Sequence, residues 1–226
     1  MTMEYCERSL DVFWAEPVNA LTNLAFIVAG IALMRLALRR PPPTMAWEVV
    51  VLIFLVFSIG VGSFLWHTLA TPWSAMTDVV PISLYINVFL VSYLVRVART
   101  GLVMGALLFL AFHGANAGVQ AALPAETLNG SVFYLPTWLA LALMAFHARA
   151  LARARATPLA AAALLFSLSL AFRTIDPAVC GALPVGSHFL WHLLNGAVLY
   201  LTTRFLMTWP PAPLSADHGR PRAETP

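Results

Sequence analysis

The chain has 226 residues, 60% of them hydrophobic and 10% charged, with a net charge of +3 and a mean hydropathy of +0.80. That balance excludes an ordinary soluble domain and points to an integral membrane protein. All 13 basic residues are arginines scattered between apolar runs, so the pI near 9.2 marks no basic face interleaved with aromatics and gives no nucleic-acid partner.

The first 18 residues are acidic and lack the basic start and apolar core of a cleavable signal peptide. Seven apolar runs follow, each about the 20 residues a helix needs to cross the hydrocarbon core. They fall at roughly 19–38, 46–70, 76–97, 101–122, 131–150, 157–174 and 187–208, separated by turn signals such as PPPT at 41–44 and ATPW at 70–73. The expected fold is an all-α membrane protein, a seven-transmembrane helix bundle forming one domain over residues 1–208. The Pro-rich segment 209–226 is expected to be a disordered cytoplasmic tail. Arginine placement sets the orientation. Arg35, Arg39, Arg40, Arg96, Arg99, Arg149, Arg153, Arg155, Arg204, Arg220 and Arg222 fall on one side, and only Arg8 and Arg173 on the other. The N-terminus is therefore expected outside and the C-terminus in the cytoplasm.

Five residues stand out in this apolar background: Ser63, His67, Asp78, His188 and His192. Ionisable groups at membrane depth are costly and default to a functional reading. Ser63 and His67 are four apart, as are His188 and His192, which sets each pair on one helical face. The orientation brings all five to the outer third of the bundle. Neutral imidazole is a good zinc ligand, and a catalytic zinc takes three protein ligands and keeps a fourth position open. His67, His188 and His192 supply three, leaving Asp78 to handle a proton or orient a ligand, and Ser63 to donate to a developing oxyanion or to Asp78. The competing reading makes each histidine a buried hydrogen-bonding residue, and Ser63 a small residue that permits close helix packing. His113 lies toward the outer half without a spaced partner and reads as structural or pocket-lining, whereas His147 and His218 fall far from the site.

The N-terminal segment sets Glu4, Glu7, Asp11 and Glu16 against one arginine. It is either a solvated acidic overhang or a hard-cation site, since calcium takes six to eight oxygens from carboxylates and carbonyls. Two cysteines, Cys6 and Cys180, fall on the same outer face, where an oxidising compartment invites a disulfide; two free thiols are the alternative.

The chain resembles the alkaline ceramidase family, within the CREST group of seven-span membrane hydrolases. The matching pieces are YCER followed by WAEPVNALTN, GVGSFLWHTL with Asp78 eleven residues after His67, and HFLWHLLNG. The resemblance implies zinc on His67, His188 and His192, with Asp78 and Ser63 as the catalytic residues. It also implies calcium held by Glu4, the carbonyl of Tyr5, Glu7, Ser9 and Glu16, with Asn19 just beyond, and a Cys6–Cys180 disulfide. Glu4 and Ser9 stand where family members usually carry Asp and Asn.

The expected function is zinc-dependent cleavage of the N-acyl bond of a ceramide-like membrane lipid to a long-chain base and a fatty acid. Acyl chains are expected to enter between helices past Phe64, Trp66, Phe189 and Trp191. One alternative is hydrolysis of another acyl lipid, ester or amide. A second is a non-catalytic seven-helix lipid sensor with a structural zinc. Abundant Ala, Leu and Arg without lysine suggests a GC-rich bacterial genome, hence an inner-membrane protein with its site toward the periplasm.

Overall fold

A backbone in lipid must pair its N–H and C=O groups within its own segment, so long apolar runs resolve into helices. A computed structural model describes residues 5–8, 12–39 and 46–210, which fold into helices and turns with no strand among them. The PPPT joint and the tail from residue 211 lie outside the described residues. The helices are α1 (Pro17–Thr22), α2 (Leu24–Leu38), α3 (Trp47–Leu69), α4 (Pro72–Arg96), α5 (Leu102–Ala122), α6 (Leu135–Ala152), α7 (Thr157–Val179) and α8 (His188–Thr208). A 3₁₀ turn, Ser131–Tyr134, leads into α6.

Several runs differ from the expected bounds. The first is broken at Asn23 into α1 and α2, and Pro17, which needs no N–H partner there, sits in the first turn of α1. The third starts at Pro72 because Thr71 and Ser74 cap each other's backbone and recruit four more residues. The sixth continues through Pro177 to Val179.

Among the described residues, six segments are long and apolar enough to cross a membrane, α1 and α2 taken as one being the first. Helix α8 has the length, 21 residues, but is not one of the six. Its polar residues explain this, and several of them bond inside the bundle. Asn195 donates to Ser169 Oγ at 2.7 Å, and Thr202 and Thr203 lie 2.7 and 2.8 Å from the Tyr85 hydroxyl. Gly196 lets α8 approach Ala25 of α2, where a Cβ would lie 3.0 Å from its side chain. Helix α8 packs on α7, α2, α3 and α4, and α3 runs along α4. The outer surface is the reverse of a soluble protein's, with side chains such as Leu102 (90% exposed) and Phe146 (76%) turned outward. Helix α5 has no buried residue at all.

Candidate metal centre

Two joints bring the unusual side chains together. Helix α3 ends at Ala70 in the left-handed region (φ 46°), and the capped start of α4 folds the chain straight back. The last turns of α3, with Ser63 and His67, thus lie beside the first turns of α4, with Asp78. Gly62 makes the contact close: a Cβ there would lie 1.8 Å from the carbonyl oxygen of Thr77. Pro81 has no N–H to offer that carbonyl along the helix.

The second joint is the start of α8. Asp176, fully buried near the end of α7, accepts from Ser187 N at 2.6 Å and His188 N at 2.9 Å on one oxygen, and from Cys6 N at 3.2 Å on the other. It therefore caps the helix that begins with His188. Gly186 (φ 66°) precedes it, and a Cβ there would lie 2.1 Å from Asp176 Oδ1. A Cys6–Cys180 disulfide, Cα atoms 5.1 Å apart, ties the N-terminal segment to the same joint.

These joints gather His67, His188 and His192 so that one ligand atom from each lies within 4.8 Å of the others. All three are 1% exposed. His67 Nδ1 lies 2.5 Å from Glu16 Oε2, and His192 Nδ1 lies 3.0 Å from Thr22 Oγ1. With those nitrogens engaged, Nε2 of both rings is left for a metal, the orientation that outer partners impose on ligating histidines. His188 Nδ1 is buried without a hydrogen-bond partner. Three clustered imidazoles, two of them oriented from behind, fit a metal ion.

Ser63, Asp78, His188 and His192 line one cavity of about 460 Å³, together with Tyr5 and Arg173. Ser63 is the hydrogen-bonding neighbour of the Asp78 carboxylate, whose Oδ1 is buried and has no partner of its own. A second, apolar cavity of about 90 Å³ shares Ile82, Ile86, Phe112, Tyr134 and Trp191 with the first and continues toward Leu90 and Met144. Of the four aromatics expected along the acyl path, Trp191 lines both cavities. Phe64 instead packs edge-on against Trp14, 5.8 Å between centroids, and Trp66 is buried beneath the Arg8 guanidinium at 6.0 Å.

Three residues at this centre, Arg173, Asp176 and Thr22, escaped the sequence reading, and Tyr5 was named only for its carbonyl. The Tyr5 ring is tilted against two of the histidines, its centroid 4.1 Å from that of His188 and 5.1 Å from that of His67. Burial pushes its phenol up to about 12 despite the nearby Arg173 charge. Arg173, 5% exposed, lies over Tyr134 and Trp191 at 5.6 and 5.1 Å and hydrogen bonds with Tyr5. An arginine inside an apolar run is the same signal that flagged the histidines. Asp176 and Thr22 carried no such mark. His113 lines the cavity, and His147 lies at the other end of the bundle against Tyr93, 2.8 Å away.

Two of the residues named for calcium, Glu7 and Glu16, make hydrogen bonds within the protein. Glu7 accepts from the N–H groups of Val18 (2.6 Å) and Asn19 (2.8 Å), capping α1. Glu16 accepts from Arg8 and from Asn19 Nδ2 besides pairing with His67. Burial opposes its charge, but the hydrogen bond and charge of His67 and the Arg8 guanidinium hold its carboxyl below the usual range. Glu4 and Ser9, the other side chains named for calcium, lie outside the described residues.

A buried three-histidine cluster with a carboxylate and a hydroxyl at its edge, inside a bundle of apolar helices, marks a multi-pass membrane protein whose centre could hold a metal ion. The ceramidase family model matches residues 1–210, and the chain belongs to that family. The family implies a hydrolase acting on amide bonds of a lipid substrate. No curated protein matches the chain.

Proposed function

We propose that this protein is a zinc-dependent amide hydrolase of the membrane, cleaving the N-acyl bond of ceramide-like lipids to a long-chain base and a fatty acid. The observation that carries the reading is the cluster of His67, His188 and His192 beside a cavity that His188, His192, Asp78 and Ser63 line and that continues into an apolar one. Three protein ligands, rather than a closed set of four, favour a catalytic over a purely structural metal.

His67, His188 and His192 would hold the zinc. When bound, it supplies Lewis acidity that polarises the amide carbonyl and acidifies water. Asp78 accepts a proton as water attacks the carbonyl carbon, then delivers it to the departing amine nitrogen as the C–N bond breaks. Its unpartnered Oδ1 suits that task. Ser63 donates to the oxygen that gains charge. The hydrocarbon chain lies along Ile82, Phe112 and Trp191 in the apolar cavity. The reading includes seven membrane crossings, with α8 as the seventh, the N-terminus outside, and a bacterial inner membrane with the centre facing the periplasm.

Metal content of detergent-purified protein tests it, read beside turnover of a ceramide and of an ester with the same chains. Wild type is expected to hold about one zinc, His192→Ala none, and Asp78→Asn to keep zinc while losing turnover by about 10²–10⁴-fold. A well-folded wild type that takes up no supplied zinc overturns the reading. Loss of zinc in Asp78→Asn would make Asp78 a ligand instead of a proton carrier. Faster cleavage of the ester would move the substrate class.

A further inference from the structure

The cavity has a second polar wall that the chemistry above does not use. Ser83 and Asn87 of α4 and His113, Asn116 and Gln120 of α5 all line it. Asn116 and Gln120 follow His113 by three and seven residues, so the three share one face of α5 over about 10 Å. Much of the rest of α5 is apolar and outward, including Leu102, Val103 and Leu110, while Phe112 turns to the cavities. A stripe of hydrogen-bonding groups on a helix that buries nothing in the protein is costly at membrane depth unless it meets water or a polar ligand.

The donors and acceptors on this wall can be assigned. Asn87 Nδ2 donates to Ser83 O at 2.8 Å, which leaves Oδ1 to accept from His113 Nε2 at 2.8 Å. His113 is thereby held as the Nε2–H tautomer with Nδ1 available as an acceptor. Asn116 spends one N–H on Phe112 O at 2.8 Å and keeps its other N–H and its oxygen. The five residues offer donors and acceptors without a formal charge, the complement of alcohol groups rather than of phosphate or ammonium.

We infer that the α4–α5 wall is a hydroxyl-recognition subsite for the amine half of the substrate. It makes the enzyme selective for N-acyl amino alcohols with free hydroxyls over simple N-acyl alkylamines. The apolar cavity accepts hydrocarbon, which leaves the hydroxyl-bearing part of the lipid to this wall. A site built to bond a hydroxyl rejects the analogue lacking it strongly, because its own polar groups are then left unpaired. The inference rests on the amide-hydrolase reading.

The test compares kcat/KM for a ceramide and for an N-acyl alkylamine of the same chain lengths. The proteins are wild type, His113→Leu, Asn116→Leu, the double variant and His113→Gln, each with its zinc content measured. Wild type is expected to prefer the ceramide by at least about 100-fold. The leucine variants lower that ratio by about 10- to 100-fold at undiminished zinc, while His113→Gln, which keeps a donor for Asn87, restores most of it. Equal cleavage of both amides by wild type overturns the subsite and leaves the hydrolase standing. A parallel fall on both substrates in the leucine variants also overturns it, marking the wall as a water path or a structural element. Zinc-loaded wild type that cleaves neither amide removes the hydrolase reading, and the subsite with it.

Discussion

Glu16 shows how far single residues were legible. Its place in the acidic segment suggested a cation ligand, whereas its carboxylate lies 2.5 Å from His67 Nδ1 and holds that ring from behind, backed by Arg8. The histidines were legible because a charged or polar group in an apolar run is costly and their spacing fixes a common face. Glu16 was not, because it belongs to no periodic run and its partner is 51 residues away. Partners of this kind set ligand orientation and basicity, and removing one costs about 10–100-fold in metal affinity. Glu16→Gln should therefore weaken zinc binding by that order, read by chelator competition, with Thr22→Val giving a smaller loss through His192. Unchanged zinc affinity in Glu16→Gln would reduce the Glu16–His67 pair to a packing contact.

At the scale of elements, two helices meet at Gly62. The GVGS motif suggested close packing in general terms, but the neighbour it serves is Thr77, whose carbonyl leaves no room for a methyl group. That contact sets the register between α3, carrying Ser63 and His67, and α4, carrying Asp78. Gly62→Ala must push the helices apart. We expect a loss of stability of about 1–3 kcal/mol by thermal unfolding in detergent, and a larger fall in turnover than in zinc content, since Asp78 is displaced from three histidines that stay together. Equal losses of zinc and turnover would mean that the whole centre collapses. Helix α8 teaches the converse: its polar side chains lower its hydropathy because they are spent on Ser169, Tyr85 and the metal centre.

For the whole molecule, the arginine asymmetry becomes sharper in three dimensions. Arg8 pairs with Glu16 and Arg173 is buried over aromatic rings, so neither is a solvated outer charge. Arg39, Arg99, Arg149, Arg153, Arg155 and Arg204, assigned to the cytoplasmic side, are exposed. The proposed orientation predicts that Ala182→Cys, in the exposed α7–α8 joint, reacts with a membrane-impermeant maleimide in intact cells. Ala154→Cys, between α6 and α7, should react only after permeabilisation. The reverse pattern would invert the protein, and labelling of both from outside would remove one crossing.

Sequence alone determined the all-helical membrane class, the positions of the helices to within a few residues, the three histidines and the cysteine pair, because hydropathy and helical period act locally and a buried imidazole in an apolar run has few other uses. Tertiary structure decided what surrounds them. It assigned Glu16 and Thr22 to the backs of two rings, Asp176 to the start of α8, Arg173 and Tyr5 to the cavity, and the polar stripe of α5 to its far wall. Each of those depends on contacts between segments distant in the chain, and no local period records which helix faces which.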